Sequence, residues 1–545
     1  MKKRLGLLAS LAVFCLAGSA LGGVINVPDD YAQIFDAVQA CPSGDTVLVD
    51  PGTYSDCTHE SEPPDTTKFC VYMKSGVTLR GSGPDATIID VAGLGRGIVV
   101  EDVTNCRIEN LQVTRAFADA YGAGILVRRV DSSVKLTDLK IYQNGDGGIS
   151  CVDQAHCEIS RVDFIDNVAK QGGGLSIEEN SDTQVYDCYF YSNESPSGGA
   201  VIIKGIGTSA IMKNCVIEGN VVPYSNGAGG GITVTDARAT ISHCQILNNS
   251  VQGTGGGVAF LNGASGMLSH SLIKGNQADF QFSLGGGIHT DGSSPTLAFL
   301  TIVQNDAGGA FADGGGINVN FSPAPIIRNC TIAENSVGAA GLAGGICFQF
   351  GGNATVENCI IANSPSGGGI TCIGATPTIS CTDVWGNAGG NALCGTDGGN
   401  NFSLDPEFCG PENPVYPWAI GEDSPCTAAN SPCDALVGAG PWGCGTGVPE
   451  TPAGAARLLG NAPNPFNPKT SIFFVLDQAG DARMRIYDLT GRTVAFFALG
   501  ELPAGQHEVV WNGRASDGRI AASGVYLYEL NALGETHSRR MTLIK

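Results

Sequence analysis

A chain of 545 residues with 43% hydrophobic content and 15% charged residues can fill a core and is not a charge-rich disordered polymer. Glycine, at 78 residues, is about twice its usual share; that suits short strands and argues against helical repeats, where each glycine costs about 1 kcal/mol. A net charge of −22 excludes an extended phosphate-binding face, and with it a nucleic-acid partner.

Residues 1–22 read as a signal peptide. Lys2, Lys3 and Arg4 form a positive start, Leu5 to Ala17 an apolar run too short to span a bilayer, and Ser19 to Gly22 a small-residue cleavage site. Cys15 lies within the run, but Ala12-Val13-Phe14 is a poor lipoprotein box. No later segment reaches eighteen apolar residues, so an exported protein without an integral membrane segment is expected. Losing the leader would make the chain still more acidic.

Residues 23–445 carry the repeats. At the front, Asp30 is placed to cap a helix with Gln33 as its box partner, and Ile34, Val38 and Cys41 follow at helical spacing. Gly44 to Val49 reads as a first strand closed by Pro51-Gly52-Thr53-Tyr54. A glycine-led aliphatic mark then recurs, as at Gly124-Ile125, Gly148-Ile149, Gly174-Leu175, Gly231-Ile232, Gly287-Ile288, Gly316-Ile317 and Gly345-Ile346, with Gly198-Gly199-Ala200-Val201 among them. A second mark lies between: a small or apolar residue, an aliphatic or Phe two on, and Asn five on, as in Cys188, Phe190, Asn193 or Cys244, Ile246, Asn249. Near Cys359 the Asn comes one residue early, at Asn363.

Such a unit cannot bury its own apolar face, but stacked copies share a continuous one. Alternate residues of each short segment then point inward, and like stacks on like: an aliphatic column, a Cys-rich column and an Asn column. Asn tolerates a left-handed turn, and its amide can bond the Asn one coil away. The fold expected is all-β, a right-handed parallel β-helix of ten or more coils with an N-terminal capping helix and a small C-terminal β-sandwich. The pattern resembles the pectin-lyase-like β-helix superfamily, and also the Gly-Gly-Ala-aliphatic and Phe-x-x-Asn repeats of polymorphic outer-membrane proteins. That superfamily holds both enzymes and binders.

Export permits disulfides. Cysteines in the repeat register (Cys188, Cys215, Cys244, Cys330, Cys359) read as small buried hydrophobes. Bridge candidates are Cys57 with Cys70, Cys151 with Cys157, Cys394 with Cys409, and two of Cys426, Cys433 and Cys444. No paired Cys-x-x-Cys with His spacing suggests zinc, and no metal site is expected.

Residues 446–458 read as a linker, and 459–545 as an immunoglobulin-like sandwich of about seven short strands. Asn464-Pro465-Phe466-Asn467-Pro468, Ile486-Tyr487-Asp488, Gly491-Arg492, Trp511-Asn512-Gly513-Arg514, Ser523-Gly524-Val525-Tyr526 and a basic ending from Arg539-Arg540 to Lys545 occur in that order. Together they resemble the FlgD-type immunoglobulin-like domain and the type A sorting domain of type IX secretion. The resemblance implies a recognition tag read by the outer-membrane secretion machinery, and a protein extracellular or on the outer-membrane surface.

For function, the informative positions lie on the outward face of consecutive coils. If Ile288 and Thr290 point inward, His289 and Asp291 point out, followed by Asn318, Asn320 and then Gln349. One acid, one His and three amides suit hydrogen bonding to a glycan or cell-surface ligand. A hydrolase needs a second carboxylate beside Asp291, whereas Asp313 is expected in a turn. A polyuronate lyase needs calcium ligands and a basic residue, and no Lys or Arg stands there. No cofactor is expected otherwise. The leading expectation is a non-enzymatic binding, adhesion or structural protein; the alternative is a lyase or glycosidase acting on acidic glycans. His243 and His270 hold equivalent places on adjacent coils, as a metal pair or as members of the Asp187, Asn214, Asn329, Asn358 column.

Overall fold

The computed structural model describes residues 22–60, 67–118, 122–410, 417–440, 444 and, with short interruptions, 456–543. The expected leader, Asn464, Pro465, Gly491, Lys545 and most of the expected linker lie outside the described residues.

The chain forms a parallel β-solenoid of about twelve coils followed by a small β-rich module. Three parallel ladders run along the solenoid, and a shorter fourth, from Val221–Ala228 to Ser336–Val337, joins five of its coils. The glycine-led ladder begins at Lys68–Tyr72 and ends at Gly368–Ile373, with Ile232 on Val258, Val258 on Ile288 and Ile288 on Ile317 in unbroken register. The second ladder carries strands such as Arg238–Ser242, and the third carries strands such as Gln245–Leu247. Inward side chains of all three meet in one continuous core. Phe164 and Phe190 show the like-on-like rule, their rings stacked at 4.4 Å and 2°.

The second mark also builds an amide ladder. Asn144, Asn167, Asn193, Asn220, Asn249, Asn276 and Asn305 each donate Nδ2–H to the Oδ1 of the Asn one coil on, the last to Asn335. These amides are buried and take no positive φ. The left-handed residue is the one before, as at Asn248 (φ 52°) and Gln304 (φ 55°), because the corner turns there and the amide is needed inside it. Ser364 fills the rung beside the early Asn363 and interrupts the ladder.

At the front, the helix is Ile34–Ala40, burying Ile34, Ala37 and Val38. Its N-cap is Gln33 with no side-chain cap; Asp30 instead accepts from the Asn26 backbone N–H at 2.7 Å, so the turn before the helix takes the carboxylate. At the far end, residues 417–440 fold back against the third ladder, where Gly438 N–H donates to Asn358 O and Cys426 and Val437 pack on Ile360.

Cys57 is bonded to Cys70. Three pairings differ from the expected ones: Cys372–Cys394, Cys381–Cys433 and Cys409–Cys444. Neighbouring coils bring Cys372 to Cys394, and the fold-back brings Cys433 to Cys381; neither proximity follows sequence spacing. Cys426 stays a free, buried thiol 3.4 Å from Asp383 Oδ2. Cys151 and Cys157 are also free, with sulfurs 3.5 Å apart inside the core.

The C-terminal module has two antiparallel sheets. One holds Ala456–Ala462, Thr470–Leu476 and Gly505–Trp511; the other holds Thr493–Leu502, Gly480–Asp488, Gly524–Ala532 and Glu535–Leu543 in that order. Trp511 is the centre of the core, against Phe466 at 5.5 Å and edge-on to Tyr526 at 5.0 Å.

Candidate functional site on the glycine-led ladder

Strands Ile288–Asp291, Ile317–Asn320 and Ala343–Gln349 lie on three successive coils. Their register places His289 over Asn318 over Cys347, and Asp291 over Asn320 over Gln349. All five candidate residues therefore share one patch, outside the aliphatic columns of Ile288, Ile317 and Ile346.

Pointing away from the core does not make all of them accessible. His289 is 3% exposed and Asn318 0%, because the glycine turn entering each strand crosses the outer face of its second position. A Cβ at Gly314 would lie 2.9 Å from Asn318 Cα. Asp291 and Asn320 keep partial exposure, while Gln349 is nearly covered.

Burial holds the His289 pKa down to about 4, so the ring is neutral at pH 7, with Nδ1 3.1 Å from Asn318 Oδ1. Asn320 Nδ2–H donates to Asp291 Oδ1 at 3.3 Å. Asp313 is drawn in from its turn: its carboxylate accepts from Gln349 Nε2–H and from the Leu342 backbone N–H, both at 2.8 Å. It thus belongs at the edge of the patch, a placement the sequence reading missed; its signal was its position just before the glycine mark of the same coil. Burial raises the pKa of both Asp291 and Asp313. Two polar atoms have no partner although buried: Asn318 Nδ2 and Asn320 Oδ1.

The patch is a face along which a ligand can lie. Two concave spots lie elsewhere: about 390 Å³ on the C-terminal module beside Phe497 and Trp511, and about 420 Å³ on the second ladder beside Thr296, Arg328 and Glu357. Chemically the patch offers an amide donor, an amide acceptor and two carboxyl groups, with no Lys or Arg on its three strands. Among the described residues, no cluster of three or more His, Cys, Asp or Glu could hold a metal ion. His243 and His270 stack at 5.2 Å and 4°, and the stack continues onto Phe299, so these rings extend the corner column.

In the C-terminal module, Trp511 Nε1–H donates to Arg514 O and Tyr526 O–H to Ala522 O, so these motif residues are packing anchors. Gly524 (φ 154°) opens a strand, and Arg492 pairs with Asp488 at 3.0 Å. Arg540 meets Asp163 of the solenoid. Among the described residues, no helix is long and apolar enough to cross a membrane.

The model of the right-handed beta helix region matches residues 75–246 and 222–384, together more than half of the chain; that of the FlgD Ig-like domain matches 467–535. Metabotropic glutamate receptor-like protein R of Dictyostelium discoideum is 28% identical over 140 residues, which are 25% of this chain and 9% of that protein. The chain thus spans less than a tenth of that curated relative. The catalytic unit of GH87 alpha-1,3-glucanase from Streptomyces thermodiastaticus aligns with a TM-score of 0.35 at 13% identity, over 68% of this chain and 66% of that one. The A-module of mannuronan C-5 epimerase AlgE6 from Azotobacter vinelandii aligns at 0.33 and 15% identity, over 68% and 93%. Dimeric latent PorU from Porphyromonas gingivalis aligns at 0.15 and 20% identity, over 16% and 9%.

Proposed function

This chain belongs to the right-handed β-helix family and carries a FlgD Ig-like domain, and from that premise we propose an exported surface or extracellular protein that binds a ligand along the patch around Asp291 and Asn320. The observation that carries the reading is the unpartnered Asn320 Oδ1 beside the Asp291 carboxylate, both on residues that keep partial exposure. A buried polar atom without a partner costs about 1–3 kcal/mol, a cost that a ligand hydroxyl or amide removes. The leader at residues 1–22 and the ordered motif of residues 464–545 support export, with the C-terminal module as the tag read at the outer membrane.

Two experiments test this. Full-length protein is passed over immobilised oligosaccharides and peptides; retention by at least one, lost in Asn320→Leu, is expected, and retention by none ends the binding reading. Deleting residues 459–545 should leave the protein in the periplasm; unchanged delivery to the surface removes the sorting role.

A second reading has one observation in its favour. Asp291 and Asp313, both with raised pKa, flank the same patch, as a general acid and its partner would in a hydrolase. Incubation with polygalacturonate and alginate, with and without calcium, separates the two readings: new reducing or unsaturated ends would make the protein an enzyme.

A further inference from the structure

Asp383 opens the strand Asp383–Trp385 on the third ladder, in the outward column that holds Leu272, Thr301, Thr331 and Ile360 on the coils before it. An acid on that face would ordinarily meet water, yet Asp383 is 0% exposed. Three stretches of chain meet at its carboxyl. Oδ1 accepts from the Leu404 backbone N–H at 3.0 Å, on the segment that follows the last coil, and Oδ2 lies 3.4 Å from Cys426 Sγ on the fold-back of residues 417–440. Ser424 ties these two segments together: its O–H donates to Pro406 O at 2.7 Å, and its Oγ accepts from the Cys426 N–H at 3.1 Å. Beside the carboxyl lies the apolar strip that the fold-back covers, with Ile360 and Ala362 against Ile420, Cys426 and Val437. The Cys381–Cys433 bond anchors the fold-back close to Asp383, so it can loosen without leaving.

We propose that Asp383 is a pH-sensitive latch: as a neutral acid it pins the fold-back over the third ladder, and as a carboxylate it loosens the fold-back and bares the apolar strip beneath. The physical reason is the cost of a buried charge without a cation beside it. The titratable groups that face Asp383 are Cys426, from the fold-back, and Asp405, from the segment after the last coil; neither brings a positive charge. Burial pushes the Asp383 pKa up to about 6, against the Leu404 and Cys426 hydrogen bonds, and the Asp405 charge pushes the same way as burial. When the fold-back opens, water reaches the carboxyl, which returns to its ordinary value of 3.8. The closed form thus holds the proton more tightly than the open one. Closure is favoured most in acid, and that preference is lost as pH rises from about 4 to about 6, with little change above pH 7. With those two values, opening becomes about ten-fold more frequent between pH 5 and pH 8.

Hydrogen exchange of the full chain tests this, read by mass spectrometry at pH 5, 6, 7 and 8 and divided by the intrinsic rate at each pH. The probes are the backbone N–H groups of Val437 and Gly438, which donate to Cys426 O at 2.9 Å and Asn358 O at 2.8 Å; the reference is the Asn249 N–H on the Asn ladder. Protection of residues 437–438 should fall about ten-fold from pH 5 to pH 8 while the reference stays level. In Asp383→Asn, which carries no charge, protection should stay level at the probes as well. Asp405→Asn alters an exposed residue and serves if the buried substitution prevents folding; removing its charge should move the fall to lower pH. Protection of 437–438 that does not change with pH would overturn the latch. A ten-fold fall that persists in Asp383→Asn would assign the response to another group and overturn it too, as would an unmoved fall in Asp405→Asn where Asp383→Asn does not fold.

Discussion

Replacing Asn249 with Ala tests the amide ladder at its middle. The Asn249 side chain is fully buried and makes four hydrogen bonds: it donates to Ile217 O and Asn276 Oδ1, and accepts from Asn220 N–H and Nδ2–H. Asn276 Oδ1 would keep the Asn249 backbone N–H, and Asn220 Nδ2 would keep Phe190 O. The Asn220 backbone N–H loses its side-chain acceptor and Ile217 O its side-chain donor. At about 1–3 kcal/mol for each such group, the loss is roughly 2–6 kcal/mol. A solenoid does not unfold as one two-state unit, so the assay is native-state hydrogen exchange read coil by coil. The loss should centre on coils 217–276 and fade along the axis. Ser209→Ala, which removes one surface bond to Asp182, should change stability by less than about 0.5 kcal/mol. A change at Asn249 no larger than at Ser209, or one spread evenly over all coils, would refute the ladder as a source of stability.

Further outcomes follow from individual contacts. A Cβ at Gly256 would clash with Gly286 O and sit 2.7 Å from the Gln277 backbone N, whereas at Gly368 nothing comes nearer than 3.6 Å. Gly256→Ala should therefore lower the melting temperature by several degrees and Gly368→Ala should not; equal effects would contradict the close stacking of glycine turns. His289 titrates near pH 4 when folded against about 6.5 when unfolded, so its contribution is intact above pH 6.5 and lost as pH falls towards 4. That loss is about 3 kcal/mol, and His289→Gln should remove this part of the acid slope in urea midpoints measured between pH 4 and 7. Without reductant, a thiol reagent should find almost nothing in the folded protein and eleven thiols between residues 22 and 545 after unfolding. More than eleven would break one of the four disulfides described above.

The solenoid was legible because its signal is local and repeated: glycine before an aliphatic pair and Asn after the next strand recur at the coil length, and only in-register stacking buries all copies together. The candidate patch was legible to the same extent, since strand alternation puts His289, Asp291, Asn318, Asn320 and Gln349 outside the core. The ring stacks of Phe282 on Phe311 and of Phe321 on Phe350 were equally available, being spaced by the same 29 residues as Ile288 and Ile317, but isolated loop aromatics show as stacks only once the register is known. Access was a different matter. Whether His289 meets water depends on where its glycine turn crosses the outer face, and Asp313 joins the patch through Gln349 on the next coil. Cys394 finds Cys372 and Cys433 finds Cys381 for a similar reason. Period and alternation are properties of neighbours along the chain, so the amino-acid order alone determines the stack and its inside. Burial, pairing and ionisation at the surface arise from segments that meet only after the coils close, and the tertiary structure decides them.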